Sequence, residues 1–466
     1  MNIELFEHKE SKCYPYLING EECIFDEVVF KKISSINPTV FPSARDKRKC
    51  FKILIRTDSI HLKADYYIGL DWLIENERYV HVKPKLNQQV IQLFQQKTDH
   101  LDLEENEDEN RDKETVEVEA GNKELNYLKL LMDALAHPEI LKETKNLVFI
   151  DWNKQPIKIA SKDDALTPLL VVQFLNLLKQ IVRKGLKKSY YKVQENLNNR
   201  VKGKILVGTH IKQNVLKNRR IKTYCDYQVF GIDHAENRFL KNVLGFVSNY
   251  IANHPTIFIS SKDHIEQLIN YCRPAFELVN EEKELNILKQ IKHNPFFKEY
   301  REAVKIGKLI LKRFAYNISK TGEDEIATPP FWINMPQLFE LYVYHHLIKL
   351  FPNQVKFQFS TYGNALDFLV TQEGMQMVVD AKYKISYQSG QIHEDIRQVS
   401  GYARLEKVYK QLDKSDNALI DCLIIYPNNE NLADDFKFDL CLVEEIKAYK
   451  QVYKIGIPMP YLKGDV

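Results

Sequence analysis

Residues 364–384 read NALDFLVTQEGMQMVVDAKYK, and this stretch decides the fold of the C-terminal region. Asp367 stands inside an apolar run between Leu366 and Phe368, and Asp380 follows Val378 and Val379. Short apolar, β-branched runs read as strands, and Glu373-Gly374 between them is a turn signal, so the stretch predicts a hairpin. Side chains two apart on a strand share a face, which points Asp380 and Lys382 the same way. The hairpin also brings Asp367 beside Asp380. Two carboxylates that close repel each other unless a divalent cation lies between them. Asp367 and Asp380 are therefore candidate metal ligands, and such oxygen donors suit Mg2+, which keeps several of its waters. Lys382 would stand beside a scissile phosphate, where an ammonium group can position water or stabilise growing negative charge.

Working outward, a helix is predicted over residues 335–350, with Glu340 among Phe339, Leu341 and Val343. A lone Glu on a helix commonly faces solvent; the functional reading makes it a third acid facing the same pocket. Strands are expected near 354–360, 365–371 and 376–384, a helix over about 393–412, and further strands at 418–426 and near 436–443. Gln398 and Tyr402 lie four apart on the second helix and share a face. Their amide and phenol suit holding a DNA strand or orienting the lysine, and a surface Gln above a half-buried Tyr is the plain alternative. Helix, three strands, helix, strand describes a compact mixed α/β domain.

A chain of 466 residues exceeds one comfortable core, so several domains are expected. Residues 1–98 read as a β-rich domain, with strand-like runs at Phe51 to Ile55 and Tyr79 to Val82. Residues 99–119 carry eleven acids and two basic residues, a local charge of −9, which leaves the rest of the chain at +12. So polar a segment buries too little to offset its ordering entropy and reads as a flexible linker. Residues 120–320 read as mainly helical. Tyr127, Leu128, Leu130, Leu131, Ala134 and Leu135 mark one apolar face, and Phe239, Leu240, Val243, Leu244 and Val247 another. Thr167 and Pro168 suggest a helix cap and first residue, and Asp233 with Glu236 suggests a capping box. From Arg183 to Lys222 there are thirteen Lys or Arg and one acid, Glu195, with Tyr190, Tyr191 and Tyr224 nearby. Basic residues among aromatics suit nucleic acid and equally suit an acidic protein partner. Lys202, Lys204, Lys212, Lys217, Arg219 and Arg220 are the candidates for either contact. Residues 321–466 complete the chain as the mixed α/β domain.

Several classes are disfavoured. Seven Cys with no CxxC pair argue against a zinc or disulfide framework and for a reducing cytoplasm. The N-terminus lacks the pattern of a signal peptide, and the longest apolar stretch, Leu169 to Val182, is broken by polar residues, so no membrane association is expected. No GxxxxGK[ST] phosphate loop occurs: Gly203-Lys204 is followed by Ile205, and Gly307-Lys308 by Leu309. His345 and His346 are adjacent on a helix and so face different directions.

Asp367, Asp380 and Lys382, with Glu340 as helix acid, resemble the PD-(D/E)xK nuclease superfamily, and Gln398 with Tyr402 is similar to the QxxxY element of its RecB-like branch. Ala365-Leu366 stands where that pattern often has a Pro before the first acid. RYVHVKPKL, DALAHPEIL, NRVKGKILVGTHIK and DHAENRFLKNVL, in that order, extend the resemblance to the McrC subunits of methylation-dependent restriction systems. The resemblance implies an α/β multidomain chain: a partner-docking N-terminal domain, a helical middle domain and a C-terminal restriction-endonuclease-like domain. It implies Mg2+-dependent cutting of double-stranded DNA containing modified cytosine. It also implies an McrB-like AAA+ GTPase partner, which uses the GTP and whose hydrolysis the chain stimulates. The alternatives are a stand-alone repair or recombination nuclease on the same fold, and a non-catalytic DNA-binding assembly subunit.

Overall fold

The computed structural model describes residues 3–7, 10–13, 27–42, 48–56, 59–84, 86–87, 122–123, 125–135, 140, 143, 147–151, 153–160, 164, 166–255, 257–258, 262–281, 297–318, 325–361, 364–384, 391–415, 417–428, 443–446 and 448–461. The acidic segment 99–119 lies outside them, as does nearly all of the strand expected near 436–443. The architecture is mixed α/β. Contacts divide the chain into two compact units, Met1–Ala165 with Asp324–Val466, and Leu166–Glu323.

In the first unit, a five-stranded sheet runs in the order Ile3–Phe6, Arg78–Lys83, Tyr67–Ile74, Phe331–Asn334, Val148–Ile150. Phe331–Asn334 comes from late in the sequence, yet it pairs antiparallel with strands on both sides. Its Trp332 is buried in the core formed by Ile3, Leu5, Phe51, Ile60, Leu62 and Val80, with its ring centroid 5.9 Å from that of Phe51. Asp71 is buried beneath this sheet and satisfied there. It accepts hydrogen bonds from Lys154 Nζ at 2.7 Å, Thr39 Oγ1 at 2.5 Å and Trp332 Nε1 at 3.3 Å. A buried carboxylate paired this fully is tolerated, whereas removal of one partner leaves an uncompensated charge.

Phe331–Asn334 leads directly into the helix Met335–Leu350. Asn334 caps it, accepting from Gln337 N at 3.2 Å, and Pro336 sits in the first turn, where its missing N–H costs nothing. The helix packs on a six-stranded sheet ordered Val355–Thr361, Asn364–Val370, Met377–Ala381, Asp421–Asn428, Val452–Pro458, Glu444–Glu445. Tyr344 on the helix stacks on Phe357, centroids 4.9 Å apart, and meets Phe368 at 5.9 Å. The first three strands are antiparallel, and the third, fourth and fifth pair in parallel. Val452–Pro458 was not foreseen. The helix expected over 393–412 is two helices, Gln391–Tyr402 and Glu406–Leu412. Gly401 weakens the last turn of the first, and Leu405 adopts extended backbone to start the second.

The second unit has a body of four long helices, Leu166–Lys184, Ala235–Asn253, Lys262–Cys272 and Lys298–Ile318. The first is buried along nearly its whole length, and Asn176 returns its Nδ2 to Val172 O at 3.0 Å. Among the described residues no helix is long and apolar enough to cross a membrane. Two sequence expectations need correction here, and the basic stretch gains a conformation. The first helix starts at Leu166, so Thr167 lies in its first turn, where its Oγ1 accepts from Arg313 Nε at 2.8 Å. The Asp233–Glu236 capping box does not form: His234 is the cap residue, Asp233 holds Arg238 and Asn280, and Glu236 takes Lys187. The basic stretch is largely a β-ribbon, Ser189–Asn198 paired antiparallel with Lys222–Gly231, with Lys204–Ile205 added to it. Its aromatic and β-branched residues, Tyr190, Tyr191, Val193, Tyr224, Tyr227, Val229 and Phe230, favour strands over helix.

Among the described glycines of the first unit, Gly69 has the closest neighbour. It pairs with Trp332 at a φ of 155°, and a Cβ built there would lie 2.1 Å from Phe331 O. Gly69→Ala must therefore break the pairing of Tyr67–Ile74 with Phe331–Asn334. Chemical denaturation should show a loss of about 3 kcal/mol or more, and an unchanged midpoint would contradict the close approach.

Candidate active site

The strand pair Asn364–Val370 and Met377–Ala381 is antiparallel, with Phe368 opposite Val379 and Leu369 opposite Val378. One further step of that register sets Asp367 opposite Asp380. Ala381 N donates to Asp367 Oδ2 at 2.8 Å, which ties the two strands at the acids themselves. Asp380 is 1 % exposed. Beyond Ala381 the chain keeps its parallel pairing, with Lys382 N donating to Ile425 O at 2.8 Å. This extension keeps Asp380, Lys382 and Lys384 in alternation.

Lys382 Nζ lies 2.6 Å from Asp380 Oδ2 and donates to Gln398 Oε1 at 2.9 Å. Gln398 Nε2 in turn donates to Tyr402 OH at 2.8 Å. The contact between Lys382 and the buried Asp380 is a close ion pair. Burial pushes the Asp367 carboxyl well above the usual carboxylate range, and the like charges of Glu340 and Asp380 push it further. The Ala381 N–H and the Lys382 ammonium oppose that rise. For Lys382, burial disfavours the charge, but Asp380 first, then Asp395 and Asp367, outweigh it and hold the pKa above the ordinary lysine value. The ammonium is therefore charged at neutral pH.

The structure thus gathers Asp367, Asp380, Lys382, Gln398 and Tyr402 into one set of contacts, with Glu340 near enough to act on Asp367. Asp395, which the sequence reading missed, belongs to the same set. It is 4 % exposed, and each of its carboxylate oxygens accepts from Lys384 Nζ at 2.7 Å. It precedes Gln398 by three residues and Tyr402 by seven, so a helical-spacing search backward from the Gln would have found it. On the opposite side of the same strand end, buried Tyr383 donates to Glu7 Oε2 at 3.0 Å and packs against Phe339. Among the described residues no set of three or more His, Cys, Asp or Glu is already arranged around a metal position. Mg2+ needs no such set, since one or two carboxylates with water and phosphate complete its shell. An acid strained by like charge is the condition that such a cation relieves.

Lys202, Lys204, Lys212, Lys217, Arg219 and Arg220 are all exposed and lie in the other unit, on and around the β-ribbon. Lys202 Nζ sits 4.4 Å from the Tyr227 ring centroid, and Arg220 Nε donates to Asn218 Oδ1 at 3.0 Å. The same end of the ribbon leaves large apolar side chains in solvent: Val201, Val207, Val215, Leu216 and Ile221 are each more than half exposed.

The family model described as McrBC 5-methylcytosine restriction system component matches residues 62–427. No curated protein matches the chain. Among solved structures, the chain is similar to one in a half-complex from a tetradecameric assembly of Thermococcus gammatolerans McrB AAA+ hexamers with bound McrC. Identity is 14 % and the TM-score 0.35, over 100 % of this chain and 96 % of that one. A second match, in the McrBC complex of the same organism, has 14 % identity and a TM-score of 0.29 over 75 % of this chain and 88 % of that one. The family assignment rests on the family model.

The strain at Asp367 has a measurable sign. Asn keeps an oxygen for Ala381 N–H and removes one like charge, so Asp367→Asn should stabilise the metal-free protein by about 1 kcal/mol at neutral pH. Because the folded pKa is raised above the unfolded one, the wild-type penalty is absent below the ordinary carboxyl range, grows as pH rises from there to the raised folded value, and is constant above it. The advantage of the variant in thermal unfolding should grow over that range and be constant outside it.

Proposed function

Since the chain belongs to the McrBC 5-methylcytosine restriction system component family, we propose that it is the DNA-cutting subunit of such a system, hydrolysing phosphodiester bonds with Mg2+ on a PD-(D/E)xK nuclease fold. One observation carries the reading: Asp367 accepts from Ala381 N, next to Asp380 on the adjoining strand, with the Lys382 ammonium 2.6 Å from Asp380. Asp367 and Asp380 are the residues that would hold the cation. When bound, Mg2+ supplies charge stabilisation on the phosphate oxygens and favours attack by water. Lys382 adds a fixed positive charge beside the phosphate as negative charge builds there. Gln398 holds the lysine in place, and Tyr402 holds Gln398, so little reorganisation is needed at the moment of reaction. Glu340 deepens the negative potential at Asp367, which strengthens its hold on positive charge.

Family membership and the sequence resemblance support an McrB-like AAA+ GTPase as partner, with duplex DNA containing modified cytosine as substrate. The absence of a phosphate loop from the sequence fits a division in which the partner uses the GTP. The exposed apolar residues of the ribbon favour a protein partner over DNA at that end, because apolar patches ringed by polar residues mark protein contacts. The basic residues around them supply steering.

Cleavage of methylated duplex DNA by the purified chain with its partner, GTP and Mg2+ tests the proposal. Asp380→Ala is expected to lower cleavage by about a thousandfold or more while leaving folding and stimulation of GTP hydrolysis intact; full cleavage rejects the site. Conversely, Val207→Asp with Leu216→Asp should lower GTPase stimulation at least tenfold, on the order of 1.4 kcal/mol of lost docking, without unfolding the protein. Stimulation at the wild-type level would remove the ribbon from the interface.

A further inference from the structure

Lys382 stands among Asp367, Asp380 and Asp395. On the proposed function, a divalent cation joins Asp367 and Asp380. That cation and the Lys382 ammonium would compete for the same oxygen, since Nζ already stands 2.6 Å from Asp380 Oδ2. Two cations cannot share a single buried carboxylate oxygen without strong repulsion. The lysine must move, and its surroundings say where. Asp395 Oδ1 lies 3.9 Å from Nζ, so a shift of about 1 Å brings it into hydrogen-bond range. Gln398 lies one turn along the same helix, so Nζ can pivot without losing its bond to Oε1. Lys384 donates to both oxygens of Asp395, so Lys382 shares that carboxylate with it.

We propose that Asp395 is a positioning residue that takes up the Lys382 ammonium when a divalent cation claims Asp380. The inference rests on the reading of Asp367 and Asp380 as cation ligands. Asp395 touches neither the cation nor the substrate; it acts through Lys382. It makes release of Asp380 inexpensive and sets the lysine at the distance from which it meets the phosphate.

The test is calorimetric binding of Mn2+ to the full chain without DNA, in which cation affinity is read apart from activity. Wild type should bind and Asp380→Ala should not. Asp395→Asn should bind about tenfold more weakly, within the range seen when a group behind a ligand shell is lost, and Asp395→Glu should recover most of that loss. In a Lys382→Ala background, Asp395→Asn should have no further effect, because the competing ammonium is gone. A loss that persists in that background, or no loss in the single variant, overturns the proposal and leaves the cation site standing. If wild type binds no Mn2+, or Asp380→Ala binds it normally, the cation site falls and this inference with it. Circular dichroism reports folding. If Asp395→Asn does not fold, Lys384→Gln replaces it: freeing Asp395 for Lys382 should tighten Mn2+ binding, and unchanged or weaker binding rejects the role.

Discussion

Asp367 and Asp380 sit close together on adjoining strands, Asp380 buried and Asp367 half-buried, and like charges so placed push against the fold that holds them. Much of the local design answers that push. The Ala381 N–H turns toward Asp367, the Lys382 ammonium leans on Asp380, and the strand continues past Ala381 in parallel pairing so that the lysine stays on the right face. A protein selected for stability alone would place an apolar pair at these positions. On the proposed function, retaining the acids trades stability for a site that a cation would complete.

The lysine has a double character in this arrangement. Without a cation it is a counter-charge that makes the buried Asp380 tolerable. Beside a phosphate it is a source of electrostatic stabilisation. Because Asp380 and its neighbours hold its pKa above the ordinary value despite burial, it remains charged in both settings. Arginine would keep the charge but not the compact, pivoting head that one residue needs to answer to Asp380, Gln398 and Asp395.

Much of this could be read from the sequence, and the gaps have physical causes. The two acid-bearing strands and the Glu-bearing helix were legible because their periods are strong and Glu373-Gly374 marks the turn. The single helix expected over 393–412 was misread because Gly401 and Leu405 break it without a Pro to announce the break. The ribbon was missed because charge, the loudest signal from Arg183 to Lys222, is silent about backbone conformation, while the alternation that decides it is diluted by Lys and Asn. Asp395 and Lys384 escaped notice because each is an ordinary surface-type residue whose burial depends on tertiary packing. Least legible was the assembly of the first unit from both ends of the chain. Reading in consecutive pieces cannot reveal that Phe331–Asn334 is a central strand of a sheet begun at Ile3.

That shared strand, together with the buried bond from Tyr383 to Glu7, makes the acid-bearing region a poor candidate for transplantation. Excised at the start of the Met335–Leu350 helix, it would lose the strand that launches that helix and the carboxylate that receives Tyr383. Excised further upstream, it would carry Trp332 with no pocket to fill. Chimeras between relatives are therefore better joined at the borders of Leu166–Glu323, where the chain leaves the first unit and returns to it, so that the exchanged cassette is the ribbon-bearing insert.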